Sequence, residues 1–225
     1  MPPFSAFDKR GYRTVDARSG YGEWASTYED TVEDAMDLDL LDVVDVDWGG
    51  VVADLGCGTG RTGEWLRSRV DAVDGVDLTP EMLARARKRG VYRSLREADV
   101  ASTGLDSGAY DIAVSCLVDE HLADLTPLYA EAARLARTFV LVGFHPHFIM
   151  AAGMPTHYDS AGGEPVAIET HVHLLSEHVA AARAAGLVLH DLRERVIDDT
   201  WVALKPKWAR LRGHPVAFAF AWQLA

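Results

Sequence analysis

The chain is short of several things, and each shortage narrows what it can be. Two cysteines among 225 residues, Cys57 and Cys116, cannot build a disulfide framework, so a reducing, cytoplasmic setting is expected. No stretch approaches the roughly 18 consecutive apolar residues that span a bilayer, and no membrane partner is expected. Met1-Pro2-Pro3-Phe4 lacks a basic segment followed by an apolar one, so no secretory signal is read there. Basic residues are in the minority, 22 against 34 acidic, for a net charge of −12. An acidic chain is a poor electrostatic match for DNA or RNA, and no nucleic-acid partner is expected. Internal repeats, low-complexity tracts and linkers are missing as well.

What is there reads as globular. Hydrophobic residues make up 48% and charged residues 25%, enough for a core and unlike a disordered or collagen-like chain. The length suits one domain over 1–225. Charge is unevenly spread. Residues 29–47 carry nine carboxylates and no Lys or Arg, and residues 61–96 carry nine basic side chains. Such blocks read as two solvated helix faces of opposite sign.

Along the chain, residues 31–47 place Val32, Met36, Leu40, Val43 and Val44 at helical spacing. Val51-Val52-Ala53 is a short apolar strand that runs into a turn, and Arg61 to Arg69 follows as a helix. Ala72 to Asp77 is a second strand. Thr79-Pro80-Glu81 opens a helix with a capping hydroxyl and Pro at the first position, and Gly90 stops it. Tyr92 to Arg96, Tyr110 to Ser115 and Phe139 to Val142 read as strands, with a helix from Thr126 to about Arg137. Residues 144–170 are irregular and rich in His, Gly and Pro. Ser176 caps an Ala-rich helix ended by Gly186, and Leu187–Val196 and Pro215–Gln223 are two final strands. This alternation predicts an α/β, doubly wound, mostly parallel sheet with helices on both faces. Ligands on such sheets sit at the carboxyl ends of the strands, where strand order reverses.

The strongest motif is Asp54-Leu55-Gly56-Cys57-Gly58-Thr59-Gly60, directly after the first core strand and before a helix. Glycines allow a tight turn and close approach of a ligand, and the helix start offers free N–H groups. The spacing is Gly-x-Gly-x-Gly, and no Gly-Lys-Ser/Thr follows, which excludes a nucleoside-triphosphate loop.

Val52 to Gly60 resembles motif I of the class I S-adenosylmethionine-dependent methyltransferases, and the likeness extends further. Gly75-Val76-Asp77-Leu78-Thr79-Pro80-Glu81-Met82-Leu83 resembles the second motif, Glu97-Ala98-Asp99-Val100 the third, and Tyr110 to Ser115 the fourth strand, with Cys116 to Leu122 after it. The match covers residues 21–145 well and 170–223 loosely. It implies a seven-stranded Rossmann-like methyltransferase sheet whose last strand is antiparallel, an N-terminal helical cap over 1–47 and an acceptor lid over 144–175. It implies S-adenosyl-L-methionine as cofactor and methyl transfer to a small-molecule acceptor, with oxygen favoured over nitrogen or carbon. Two alternatives use the same framework: a non-transferring reaction such as cyclisation, and methylation of a macromolecule. The Asn/Asp-Pro-Pro-aromatic signature of many nucleic-acid and protein methylators is absent after Ser115.

The resemblance assigns roles residue by residue. Asp77, 23 residues after Asp54, takes the ribose hydroxyls, and Asp99 the adenine amino group. Leu78, Met82 and Val100 flank the adenine. Gly56 and Gly58 lie against the methionyl part, with Asp54 near its ammonium end, and Cys57 and Cys116 line the same site. Tyr28 reaches the cofactor carboxylate, and Trp24 belongs to the same aromatic segment, on the acceptor side. In Val118-Asp119-Glu120-His121-Leu122, His121 matches one member of a His pair common in relatives, whereas Asp119 and Glu120 depart from that pattern. A His beside a carboxylate suits a base, so His121, Asp119 and His145 are the catalytic candidates. Six of nine histidines fall between His145 and His178. Their spacing is not diagnostic of a metal site, and none is expected; His147, His173 and Tyr158 are taken as acceptor-binding. Lys205-Pro206-Lys207-Trp208 adds one edge. The sequence carries no signal for oligomeric state.

Overall fold

The computed structural model describes residues 3–32 and 34–225. After a single 3-10 turn at Phe4–Ala6 come β1 (Arg13–Val15), α1 (Ala17–Trp24), α2 (Tyr28–Thr31) and α3 (Met36–Val43). The central alternation follows: β2 (Val51–Leu55), α4 (Arg61–Leu66), β3 (Ala72–Asp77), α5 (Pro80–Arg89), β4 (Ser94–Glu97) and β5 (Tyr110–Cys116). A 3-10 turn at Asp119–His121 leads to α6 (Thr126–Leu135) and β6 (Ala136–Phe144), then α7 (Pro146–Ala152), β7 (His157–Asp159) and β8 (Pro165–Ile168). The chain continues through α8 (Leu175–Ala184), β9 (Leu187–Val196), α9 (Asp199–Leu204), a 3-10 segment at Pro206–Leu211 and β10 (Pro215–Leu224).

Seven strands form one sheet in the order β4-β3-β2-β5-β6-β10-β9. β2 through β6 pair in parallel, and β10 runs antiparallel to both β6 and β9. This is the Rossmann-like methyltransferase fold. Strand alternation divides the apolar residues between two faces. Along β10, Phe218, Phe220 and Trp222 enter the core under α6 and α8, while Ala217, Ala219 and Ala221 enter the core under α3, α7 and α9. Each large side chain buried this way is worth about 1.5–3 kcal/mol. The chain leaves β2 toward β3 and β4 and later returns to β5 on the other side. The switch point therefore lies between β2 and β5, and the turns after these two strands frame the site.

Several local expectations are corrected. The helix expected over 31–47 is two pieces, α2 ending at Thr31 and α3 starting at Met36; Glu33 of the acidic run lies outside the described residues. The two charge blocks are not independent solvated faces. Arg61 pairs with Asp37, Arg69 with Asp42 and Arg89 with Glu29, so the acidic run is laced onto the basic one. Thr79 is the residue before α5, but its hydroxyl makes no capping bond; the Asp77 carboxylate accepts the Thr79 N–H instead, at 2.8 Å. Ser176 does not cap α8, which starts after Leu174, where Glu177 accepts the Leu174 N–H at 2.7 Å. Residues 144–170 are not irregular. They hold α7 and the hairpin β7–β8, and β1 joins β8 in parallel to complete a separate three-stranded sheet.

Candidate active site

The turn after β2 is built for close approach. Gly56 and Cys57 donate their N–H groups to the Val76 carbonyl, at 2.8 and 2.9 Å, which ties the loop to the end of β3. Gly56 has φ +77° and faces Val118, so a side chain there would meet both backbone strain and a collision. Asp77, at the end of β3, accepts Gly58 N–H at 2.8 Å on one oxygen and Thr79 N–H on the other. Each carboxylate oxygen keeps one further accepting direction. Burial raises the Asp77 carboxyl above its ordinary value, and those backbone bonds oppose the rise.

Above this loop lies a cavity of about 570 Å3, within the range of small-ligand sites. One end is lined by Gly56, Cys57, Gly58, Asp77, Leu78, Met82, Asp99, Val100 and Cys116, together with Tyr28. These residues fit an adenosyl ligand in kind: two acceptor carboxylates, apolar walls and a glycine loop. Asp54 does not line the cavity. The Tyr92 hydroxyl donates to one of its oxygens at 2.7 Å, the other oxygen is a buried acceptor without a partner among the described residues, and burial pushes the carboxyl up to about 7. Asp54 stands beneath the loop rather than on the cavity wall.

The other end of the cavity is aromatic. Tyr21 and Trp24 from α1 are stacked at 5.9 Å, and Trp24 in turn stacks on Tyr158 at 5.8 Å. Tyr158 donates its hydroxyl to Glu23 at 2.8 Å, and Trp24 its indole N–H to Thr31 at 2.9 Å. Phe148 and Trp208, edge to face at 5.2 Å, close the far wall. Leu117, at the end of β5, has φ +59°, an uncommon conformation for a residue with a side chain. It swings the chain so that Val118 covers Gly56 and the 3-10 turn at 119–121 reaches the cavity.

That turn sorts its three side chains. Successive residues of a 3-10 turn point about 120° apart, so Glu120 and His121 line the cavity and Asp119 does not. Asp119 is buried on the opposite side against Gly143, 3.5 Å from His178, and burial pushes its carboxyl up to about 8. It is not placed to orient His121. His121 Nδ1 lies 2.7 Å from the Glu169 carbonyl, which can only accept, so this nitrogen carries the proton. Nε2 then accepts the Tyr21 hydroxyl at 2.9 Å. Burial pushes the ring down to about 4, so it is neutral near pH 7. The basic nitrogen is occupied by the Tyr21 hydroxyl, which His121 holds in place at the cavity wall.

His157 also lines the cavity, but the other histidines expected at the site stand elsewhere. His145 caps α7, accepting His147 N–H at 3.1 Å and facing Glu194 at 3.0 Å. His147 stacks on His214 with ring nitrogens 2.7 Å apart. Both stand outside the cavity because the first turn of α7 directs them toward β9 and β10. His173 donates to the Leu122 carbonyl at 2.6 Å and lines a second, smaller cavity of about 420 Å3. Tyr21 and Glu120 line the cavity although pattern reading assigned neither of them a role, and Trp208 lines it as part of the edge expected at 205–208. Tyr21 had a signal, three residues before Trp24 on the same helix face. Glu120 had only its departure from the His-pair pattern.

Residues 53–138 match the family described as "Methyltransferase domain". Over this span the chain is similar to a methyltransferase domain. Its sequence relatives include the malonyl-[acyl-carrier protein] O-methyltransferase of Serratia marcescens, 31% identical over 144 residues, covering 64% of this chain and 55% of that protein. The trans-aconitate 2-methyltransferase of Methylobacterium nodulans is 31% identical over 169 residues, 66% of this chain and 61% of that protein. The chain thus spans little more than half the length of these curated relatives. Among solved structures, an S-adenosylmethionine-dependent methyltransferase from Mesorhizobium loti shares the fold at TM-score 0.62 and 23% identity, covering 79% of this chain and 93% of that one. The matched span holds the loop after β2, Asp77, Asp99 and the 119–121 turn.

Proposed function

We propose that the protein transfers a methyl group from S-adenosylmethionine to an oxygen of a small-molecule acceptor. The observation that carries this reading is one continuous cavity with a glycine loop and two carboxylates at one end and an aromatic chamber at the other. Asp77 binds the ribose hydroxyls through its remaining acceptor directions, and Asp99 accepts the adenine amino group. Leu78, Met82 and Val100 flank the base, Gly56 and Gly58 admit the methionyl part, and Tyr28, Cys57 and Cys116 complete the wall. The bound cofactor supplies the reactive methyl group on its sulfonium centre. The protein's part is to hold the acceptor in line and keep water out; Tyr21, Trp24 and Tyr158 do this from above. The relative named for trans-aconitate supports small-acceptor chemistry, the one named for malonyl-[acyl-carrier protein] supports transfer to oxygen on a protein-linked acceptor, and the net charge of −12 argues against a nucleic-acid acceptor.

Calorimetric titration with S-adenosylmethionine and S-adenosylhomocysteine tests the reading. Micromolar binding is expected, and Asp77→Asn should weaken it at least tenfold. Circular dichroism should show that this variant is folded, since Asp77 also holds Gly58 and Thr79. Absence of binding to folded wild-type protein would overturn the reading.

A further inference from the structure

The charges along the acceptor half of the cavity are unequally committed. Arg61 is taken by the Asp34 carbonyl at 2.8 Å and the Asp37 carboxylate at 3.3 Å, and Lys205 by the Asp34 carboxylate. Lys207 stands in the exposed rim over Trp208. Glu120, only 4% exposed, has no cationic partner among the described residues. Thr156 donates to its Oε1 at 2.8 Å, and His121, held neutral, stands 3.7 Å away. Its Oε2 receives no hydrogen bond among the described residues, and the residue lines the cavity. That oxygen is open to the cavity, so its accepting directions are available to a ligand there.

We propose that Glu120 is the proton acceptor of the transfer reaction, and that the acceptor is a neutral hydroxyl compound, a phenol or an enol, rather than a carboxylate. This rests on the O-methylation reading above. A carboxylate acceptor is already ionised, needs no base and needs a cation; here the deep cations are taken and an uncompensated carboxylate would repel it. A hydroxyl is a weak nucleophile until its proton has somewhere to go. In the step, the acceptor oxygen bonds to the methyl carbon as the carbon–sulfur bond breaks, and the sulfur keeps that electron pair. The hydroxyl proton passes to Glu120 and then to water, leaving a methyl ether, S-adenosylhomocysteine and one proton. The walls of Tyr21, Trp24, Phe148 and Trp208 suit a flat apolar body.

The electrostatics agree with the geometry. Burial pushes the Glu120 carboxyl up to about 7, against the lowering effect of Thr156, so it exchanges protons near neutrality. The groups around it do not compete. Burial pushes Tyr21 well up and Tyr28 up to about 12, His121 is neutral, and Asp119 titrates at about 8 on the far side of its turn.

The test measures S-adenosylhomocysteine release with shape-matched acceptors, 1-naphthol against 1-naphthoic acid and catechol against benzoic acid, with trans-aconitate as a third carboxylate. Release is expected from the hydroxyl compounds and at least tenfold less from the acids. Glu120→Gln should lower kcat about 100-fold or more with KM within threefold, and should remove the acid limb near pH 7. Glu120→Asp should recover part of the rate. Calorimetry with S-adenosylhomocysteine should be unchanged in both variants, which separates loss of the base from loss of the fold. Faster release from the carboxylates, or a Glu120→Gln rate within threefold of wild type, would overturn the proposal. Release from none of the five compounds, with cofactor binding intact, would remove the O-transfer reading and this role together; loss of cofactor binding itself would instead defeat the reading of the domain's site.

Discussion

Asp119 and Glu120 are neighbours with opposite surroundings, one sealed in the core beside His178 and the other open to the cavity. Their consequences differ accordingly. The Asp119 carboxyl titrates at about 8 in the folded protein and near 3.9 when unfolded. The folded state therefore holds a proton that the unfolded chain has lost, and this raised acid contributes less stability as pH climbs from about 4 to about 8. Asp119→Asn should flatten that part of a urea-denaturation profile and raise stability at pH 8 relative to wild type. Tyr21→Phe removes the donor to His121 Nε2 at 2.9 Å; leaving that buried acceptor unpaired should cost about 1–3 kcal/mol in the same assay. The acid pair was visible in the chain, but its division of labour was not. Which side each carboxylate takes is set by a three-residue 3-10 turn and by the unusual φ of Leu117, neither of which has a composition signature. The histidine-rich stretch misled for the same kind of reason: ring position depends on the turn of α7, and of that stretch His157, not His145, His147 or His173, lines the cavity.

Elements that bury periodic apolar faces were legible. β3 and α5 run as their patterns indicate, because apolar runs and helical periodicity are local properties. The three-stranded sheet of β1, β7 and β8 was not, since its strands are three or four residues long and β1 lies some 150 positions from its partner β8. No local pattern announces such a pairing. This small sheet supports α1, and the contact is close: a side chain at Gly20 would press on Ile168 of β8. Gly20→Ala should therefore lower stability by about 1–3 kcal/mol through overpacking, read as a fall in Tm. It should also disturb the aromatic chamber carried by α1 more than the glycine loop, so S-adenosylhomocysteine affinity should stay within threefold.

At the scale of the whole molecule, ligand and fold are linked. A cofactor at a hundred times its Kd stabilises the native state by about 2.7 kcal/mol, and for a domain of this size each kcal/mol is about 2–4 °C. Saturating S-adenosylhomocysteine should then raise Tm by about 5–10 °C in a thermal scan, and Asp77→Asn should abolish the rise. The order of the sheet has a further consequence in time. β10 follows β9 in the chain yet lies between β6 and β9, with Val216 to Trp222 fully enclosed. While the protein is being made, β6 presents a bare edge and β9 has no place to dock until some thirty more residues have left the ribosome. The nascent chain thus waits with an open apolar flank, and the final strand to emerge acts as the wedge that lets the one before it settle.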